Sequence, residues 1–195
     1  MSALYLVAVG NVPDKVWEWI TNAAAEWFPL PVRRLPGLAV PENAFDPKRQ
    51  QYQSVEIMKT LAQIAPDGET RAGARAPQKD ATRILGVTDV DLSIPMLSFL
   101  FGQAQLDGAI AIVSLCRLRQ EFYGLPGQDA LLRERLTKEV LHEMGHTFGL
   151  VHCSDQKCAM SLSTHIGLVD AKAERYCSNC GLYLAQRFAS LDGGV

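Results

Sequence analysis

The chain has 195 residues, 48% of them apolar and 21% charged, with a formal net charge of -2. That length suits one globular domain with a sizeable core, and so small a net charge gives no field to draw in nucleic acid or an anionic membrane. No stretch approaches the ~20 consecutive apolar residues of a membrane span, and the apolar opening MSALYLVAVG lacks a basic leader and a cleavage site, so it reads as a buried strand and not as a signal peptide.

In chain order, residues 3–10 are predicted as a strand. A helix follows over 12–28, with Val16, Trp17, Ile20, Ala24 and Trp27 at helical spacing and Pro13 suited to its first turn. A second strand is expected over Val32 to Val40 and a second helix over 51–65, on Val55, Ile57, Met58, Leu61 and Ile64, so the order begins βαβα. The Pro, Gly and charge of 66–80 mark a loop. Apolar runs at Arg83 to Val90, Leu97 to Gln103 and Ala109 to Leu118 read as strands, two of them joined by a hairpin at Asp107 and Gly108. From Gln128 to Phe148 the positions Leu132, Leu136, Val140, Met144 and Phe148 recur every four residues on one buried helical face, and Gly149 falls where a helix ends in a left-handed residue. Loop is expected to about Ser163, and a final helix from Cys180 to Phe188.

The long helix carries the chemistry. His142 and His146 are four residues apart, so both imidazoles project from one face and can grip one tetrahedral ion. Glu143, beside the first ligand, can accept a proton from water on that ion and return it to a leaving amine, which is general acid-base hydrolysis. The turn at Gly149 lets His152 swing back as third ligand, and three protein ligands with one open position are the pattern of a catalytic zinc.

Five cysteines stand at 116, 153, 158, 177 and 180. Cys153, Cys158 and the pair Cys177 and Cys180 suggest a closed structural zinc site of four thiolates, which needs a reducing compartment and so favours the cytoplasm. Adjacent side chains diverge, so His152 can serve one ion and Cys153 another. Two disulfides and a redox-active CxxC are the competing readings. Cys116, inside an apolar run, is expected in the core. Met160 can be either a soft floor beneath the metal or ordinary core, and His165 is expected as a solvated loop residue.

The ordered elements HEMGHTFGLVHC, CAM and CSNC, with ILGVTDVDLSIP, FLFGQA and SLCRLRQEFYG upstream, resemble the archaemetzincin family of metalloproteases. The family pattern HExxHxxGxxHCxxxxCxM followed by CxxC is matched at every fixed position, although 16 residues separate Met160 from Cys177, one fewer than the usual spacer. The resemblance implies two zinc ions per chain: a catalytic one on His142, His146 and His152 with Glu143 as base, and a structural one on Cys153, Cys158, Cys177 and Cys180. It also makes Met160 the Met-turn residue. The implied fold is α+β, a mixed twisted sheet with an antiparallel edge strand over two main helices, as one metzincin-like catalytic domain. Residues 1–149 would form its N-terminal part, with the zinc helix at about 128–149, and 150–195 a small zinc-stabilised C-terminal part.

The expected function is therefore zinc-dependent hydrolysis of peptide bonds in a peptide or unfolded-protein substrate, by a soluble monomer. The substrate would pair as an added strand with an edge near Leu97 to Gln103. Trimming from the N-terminus and internal cleavage both remain open, with Asp89, Asp91 and Glu121 as candidates to hold a substrate amine. A latent or non-catalytic peptide-binding module is the alternative, and a purely structural protein of two zinc ions would need a fourth ligand such as His165 at the histidine site.

Overall fold

The computed structural model describes residues 2–64 and 82–192; the loop expected over 66–80 lies outside them. The central sheet is built from β1 (Leu4–Val9), β2 (Val32–Arg34), β5 (Arg83–Thr88), β8 (Gly102–Ala104) and β9 (Ile110–Ser114) in the spatial order β2-β1-β5-β9-β8. The first four are parallel, and β8 closes one edge antiparallel to β9 through the hairpin at Asp107. Strand alternation sorts the core into two layers. Leu4, Leu6, Leu85, Val87, Ala111 and Val113 face one side, where α1 (Lys15–Trp27) and α3 (Asp129–Thr147) pack. Tyr5, Val7, Ile84, Ile110 and Ile112 face the other, which is covered by Ile57, Met58 and Leu61 of α2 (Ser54–Leu61). The sheet is thus clad on both faces, with α1 and α3 on the same side.

A smaller sheet of β3 (Phe45–Asp46), β4 (Gln51–Gln53), β6 (Leu92–Ile94) and β7 (Leu97–Leu100) stands beside the edge strand β8. The single strand expected over Leu97 to Gln103 is in fact two: β7 pairs with β6, the chain breaks at Phe101, and β8 joins the central sheet. Buried Phe101 turns its side chain into the core, and its carbonyl is taken by the Ser114 N–H, which forces the change of partner. Arg49 holds β7 in place by donating to the carbonyls of Ile94, Leu97 and Ser98.

Other boundaries shift for local reasons. Strand pairing over Val32 to Val40 stops at Arg34 apart from a bridge between Val9 and Leu38: the N–H groups of Leu35 and Leu38, three residues apart, bond the carbonyls of Leu6 and Ala8, so the alternation is broken by a bulge at Pro36 and Gly37. Residues 51–53, expected as helix, pair as β4 instead. Cys116 lies half-buried in a short 3-10 turn (Cys116–Leu118) after β9 rather than within a strand. The six-residue α4 (Ile166–Ala171) was not anticipated. It docks on α3 through a bidentate ion pair between Asp170 and Arg135, 2.6 and 2.8 Å. The final helix α5 spans Ser178–Asp192, starting before Cys180. No helix among the described residues is long and apolar enough to cross a membrane.

Candidate active site and metal centres

α3 brings His142 and His146 onto one face with their Nε2 atoms 3.1 Å apart. Each ring is oriented by a carbonyl behind it: His142 Nδ1 meets the Ala159 oxygen at 2.9 Å, and His146 Nδ1 the Leu150 oxygen at 2.7 Å. A carbonyl can only accept, so these two contacts call for the ring proton on each Nδ1, which turns two Nε2 lone pairs toward each other. A cation between them would make that arrangement favourable. A tetrahedral ion with Zn–N of 2.0–2.1 Å would set its nitrogens about 3.3 Å apart, close to what is seen.

The third imidazole arrives through the helix terminus. Gly149 has φ +96, its N–H bonds the His146 carbonyl and the Leu150 N–H bonds the Gly145 carbonyl, each at 3.0 Å. That pair of bonds is a Schellman stop, and the left-handed residue it needs is a glycine. The chain doubles back, so the ring of His152 lies 5.3 and 5.0 Å from those of His142 and His146. One ligand atom from each of the three falls within a 4.8 Å span, an arrangement able to hold a metal ion. His165, which the structural alternative needed as a fourth ligand, is outside this group. Exposure rises from buried His142 through half-buried His146 to exposed His152, so the site opens to one side. Burial chiefly lowers the pKa of all three imidazoles, keeping them neutral and available to a metal.

The opening is a cleft of about 510 Å³ between β7 and β8 above and Leu162 to Thr164 below. Glu143 lies in it, nearly withdrawn from water; burial first, and the neighbouring Glu139 second, push its carboxyl well above the usual range in the metal-free protein. Room for it is made by Gly102 of β8. A Cβ there would lie 2.7 Å from Glu143 Cγ, from its Oε1 and from the Ile112 carbonyl. The sequence reading missed Gly102, although a lone glycine in an apolar strand signals close approach. It also missed the buried pair of Glu139 and Lys172 beneath His142; Glu139, four residues before Glu143, shares its helical face. The carboxylates considered for a substrate amine do not line the cleft. Asp91 accepts from Nε and Nη2 of Arg117 and from the Gln51 side-chain amide.

Met160 is buried against α3: a Cβ on Gly145 would meet its Sδ at 2.5 Å, and its carbonyl accepts from the Cys153 N–H at 2.9 Å. Beyond it, the four thiols of Cys153, Cys158, Cys177 and Cys180 fall within one 4.8 Å span. The Sγ atoms of Cys153 and Cys177 are 3.8 Å apart. All five cysteines are free, and this separation is near the about 3.8 Å edge of a tetrahedron with Zn–S of 2.3 Å. Burial raises the thiol pKa of Cys158 and Cys180, whereas the Cys180 N–H lowers that of Cys177. Cys116 is remote from both groups, its thiol pushed up to about 11 chiefly by burial.

Residues 13–186 match the model of peptidase family M54. The archaemetzincin of Methanocaldococcus jannaschii is 38% identical over 88% of this chain and 87% of its own. The chain belongs to the archaemetzincin family of zinc metallopeptidases. Among solved structures, the archaemetzincin of Methanopyrus kandleri superposes with a TM-score of 0.80 at 33% identity, over 96% of each chain. A zinc-dependent peptidase of Methanocorpusculum labreanum reaches a TM-score of 0.80 at 31% identity, over 93% of this chain and 100% of its own. The α+β architecture with a mixed sheet is thus an archaemetzincin fold, and the substrate of such a hydrolase is a peptide.

Proposed function

We propose that His142, His146 and His152 hold a catalytic zinc and that Glu143 is the base of peptide hydrolysis. The observation that carries this is the convergence of two Nε2 lone pairs at 3.1 Å beside a buried carboxylate at the floor of an open cleft. When bound, zinc supplies a Lewis acid for the scissile carbonyl and lowers the pKa of water to about 7. Glu143 takes the proton of the attacking water on its carboxylate and delivers it to the leaving amine. Its burial suits the task, since withdrawal from water raises the affinity of the carboxylate for the proton it takes up and passes on. Met160 underlies α3 as the Met-turn residue, so that the metzincin pattern is complete.

Substrate binding follows from the free edge of β8. Phe101 and Gln105 direct their backbone groups to Ser114 and Ile110 of the hairpin, so by alternation the N–H and C=O groups of Gly102 and Ala104 point away from β9. An extended peptide can pair there as an added strand. Leu97, Phe99 and Leu162 flank it with apolar side chains that keep water from the reacting groups.

The same reading gives Cys153, Cys158, Cys177 and Cys180 a second, structural zinc. The whole chain is then one catalytic domain, with residues 150–195 as its zinc-stabilised C-terminal part, acting as a monomer in a reducing cytoplasm. The test is a zinc count per chain, together with cleavage of a quenched peptide library by the wild type and Glu143→Ala. Two ions, with cleavage reduced about 10²- to 10⁴-fold in the variant, is the expected result. Two ions with no cleavage by either protein would make the chain a peptide-binding module instead.

A further inference from the structure

Glu139 of α3 and Lys172, just past α4, form an ion pair with Nζ 3.2 Å from Oε1, and their side chains are only 4% and 1% exposed. Taking two charges out of water leaves such a pair little net stabilisation, so its position is the more informative property. Lys172 Nζ is also 3.4 Å from Nδ1 of His142. That nitrogen has two neighbours with opposite demands. The Ala159 carbonyl, at 2.9 Å, accepts a proton from Nδ1 and so leaves the Nε2 lone pair free for a metal. An ammonium can only donate, so an engaged Lys172 would make Nδ1 an acceptor and move the ring proton to Nε2.

We propose that Glu139 is a positioning residue for metal binding: by engaging Lys172 it leaves His142 Nδ1 to the Ala159 carbonyl and holds His142 in the tautomer that offers Nε2 to the ion. The inference rests on the assignment of the three histidines as the zinc site. Removing the carboxylate frees Lys172 to turn on His142, and removing the lysine as well ends the competition. The pair thus acts on the ligand from the side away from the metal, where partners of ligating histidines commonly affect affinity.

The test compares wild type, Glu139→Leu and Glu139→Leu/Lys172→Met, each with the cysteine cluster loaded. Zinc affinity at the histidine site is read by competition with a chelator, and the His142 tautomer by imidazole ¹⁵N shifts with that site metal-free. Glu139→Leu is expected to bind zinc about 10- to 100-fold more weakly, with the proton on Nε2. The double variant is expected to recover both the affinity and the Nδ1–H tautomer. If Glu139→Leu is poorly folded, Glu139→Gln and Glu139→Gln/Lys172→Met make the same comparison with a polar side chain kept. Unchanged affinity, an unchanged tautomer, or failure of the double variant to recover would each overturn the proposal. A wild type that binds no zinc on its histidines would instead overturn the catalytic assignment, and the tautomer measurement would still test the competition.

Discussion

The histidine cleft and the cysteine cluster adjoin at His152 and Cys153, but they present metal-binding groups in opposite ways. The histidine group offers three ligands, graded from buried to exposed, at the floor of a cleft with a carboxylate beside it. The cysteine group offers four, Cys153 and Cys158 from the segment before α4 and Cys177 and Cys180 from the start of α5, leaving no position over. Three ligands leave room for chemistry and four fill the tetrahedron. The two are coupled through Met160 and Ala159: one residue bonds the Cys153 N–H and the next orients His142. The cysteine cluster therefore fixes the turn segment against which the open site is oriented.

The largest effect should come from the closed cluster. Cys158→Ala is expected to lose the ion there and to lower the melting temperature by about 10 °C or more, because metal binding at a closed site is folding free energy. Zinc counting and calorimetric melting check this, and a variant that keeps both values would remove the structural side of the contrast. Gly102→Ala should act on the open site alone. Its Cβ has no space between Glu143 and the Ile112 carbonyl, and the latter is backbone of β9 that cannot yield. Overpacking of about 1–3 kcal/mol and a cleavage rate lowered about 10²-fold by a displaced base are expected, with the zinc count unchanged. Wild-type turnover would show that Glu143 needs no such clearance.

The smallest effect is one of protons. Burial lowers the imidazole pKa values below the ordinary 6.5, so at pH 7 the histidines are neutral and zinc has little to displace. Burial raises Cys158 and Cys180 above the ordinary 9.0, so their thiols are protonated at pH 7 and must release protons to bind. Calorimetric titration in buffers of different ionisation enthalpy should find about three to four protons released at the cysteine cluster and under about one at the histidines. As pH falls from 7.5 to 6.5 the cysteine affinity should drop steeply while the histidine affinity stays nearly flat. Equal proton release at both would erase the distinction.

Much of the site was legible before any contact was known, because its parts are local. The four-residue spacing on a helix puts His142, Glu143 and His146 together by geometry alone, and Gly149 followed by His152 encodes a turn whose φ of +96 is what a glycine supplies. Clustering of four cysteines within 28 positions pointed in the same way to the group whose thiols come together within one 4.8 Å span. Residues 83–88 and 110–114 announced themselves by apolar runs, since strands clad on both faces need apolar residues throughout.

What only the tertiary structure decided are pairings between residues far apart in the chain. Leu97 to Gln103 reads as one strand, and whether it splits depends on which edges are free to accept it: β6 takes the first part and β9 the second. Asp91 looked available until Arg117, 26 positions on, closed over it. Gly102 meets Glu143 across the cleft, and Lys172 meets Glu139 and His142 across more than thirty and thirty positions. Periodicity and spacing record which face of its own element a residue takes, so the sequence determined that His142, Glu143 and His146 share one helix and that Gly149 turns the chain back toward His152. Which residue of another element comes to stand against that face is set by packing, and for this protein packing decided the clearance around Glu143 and the neighbours of His142.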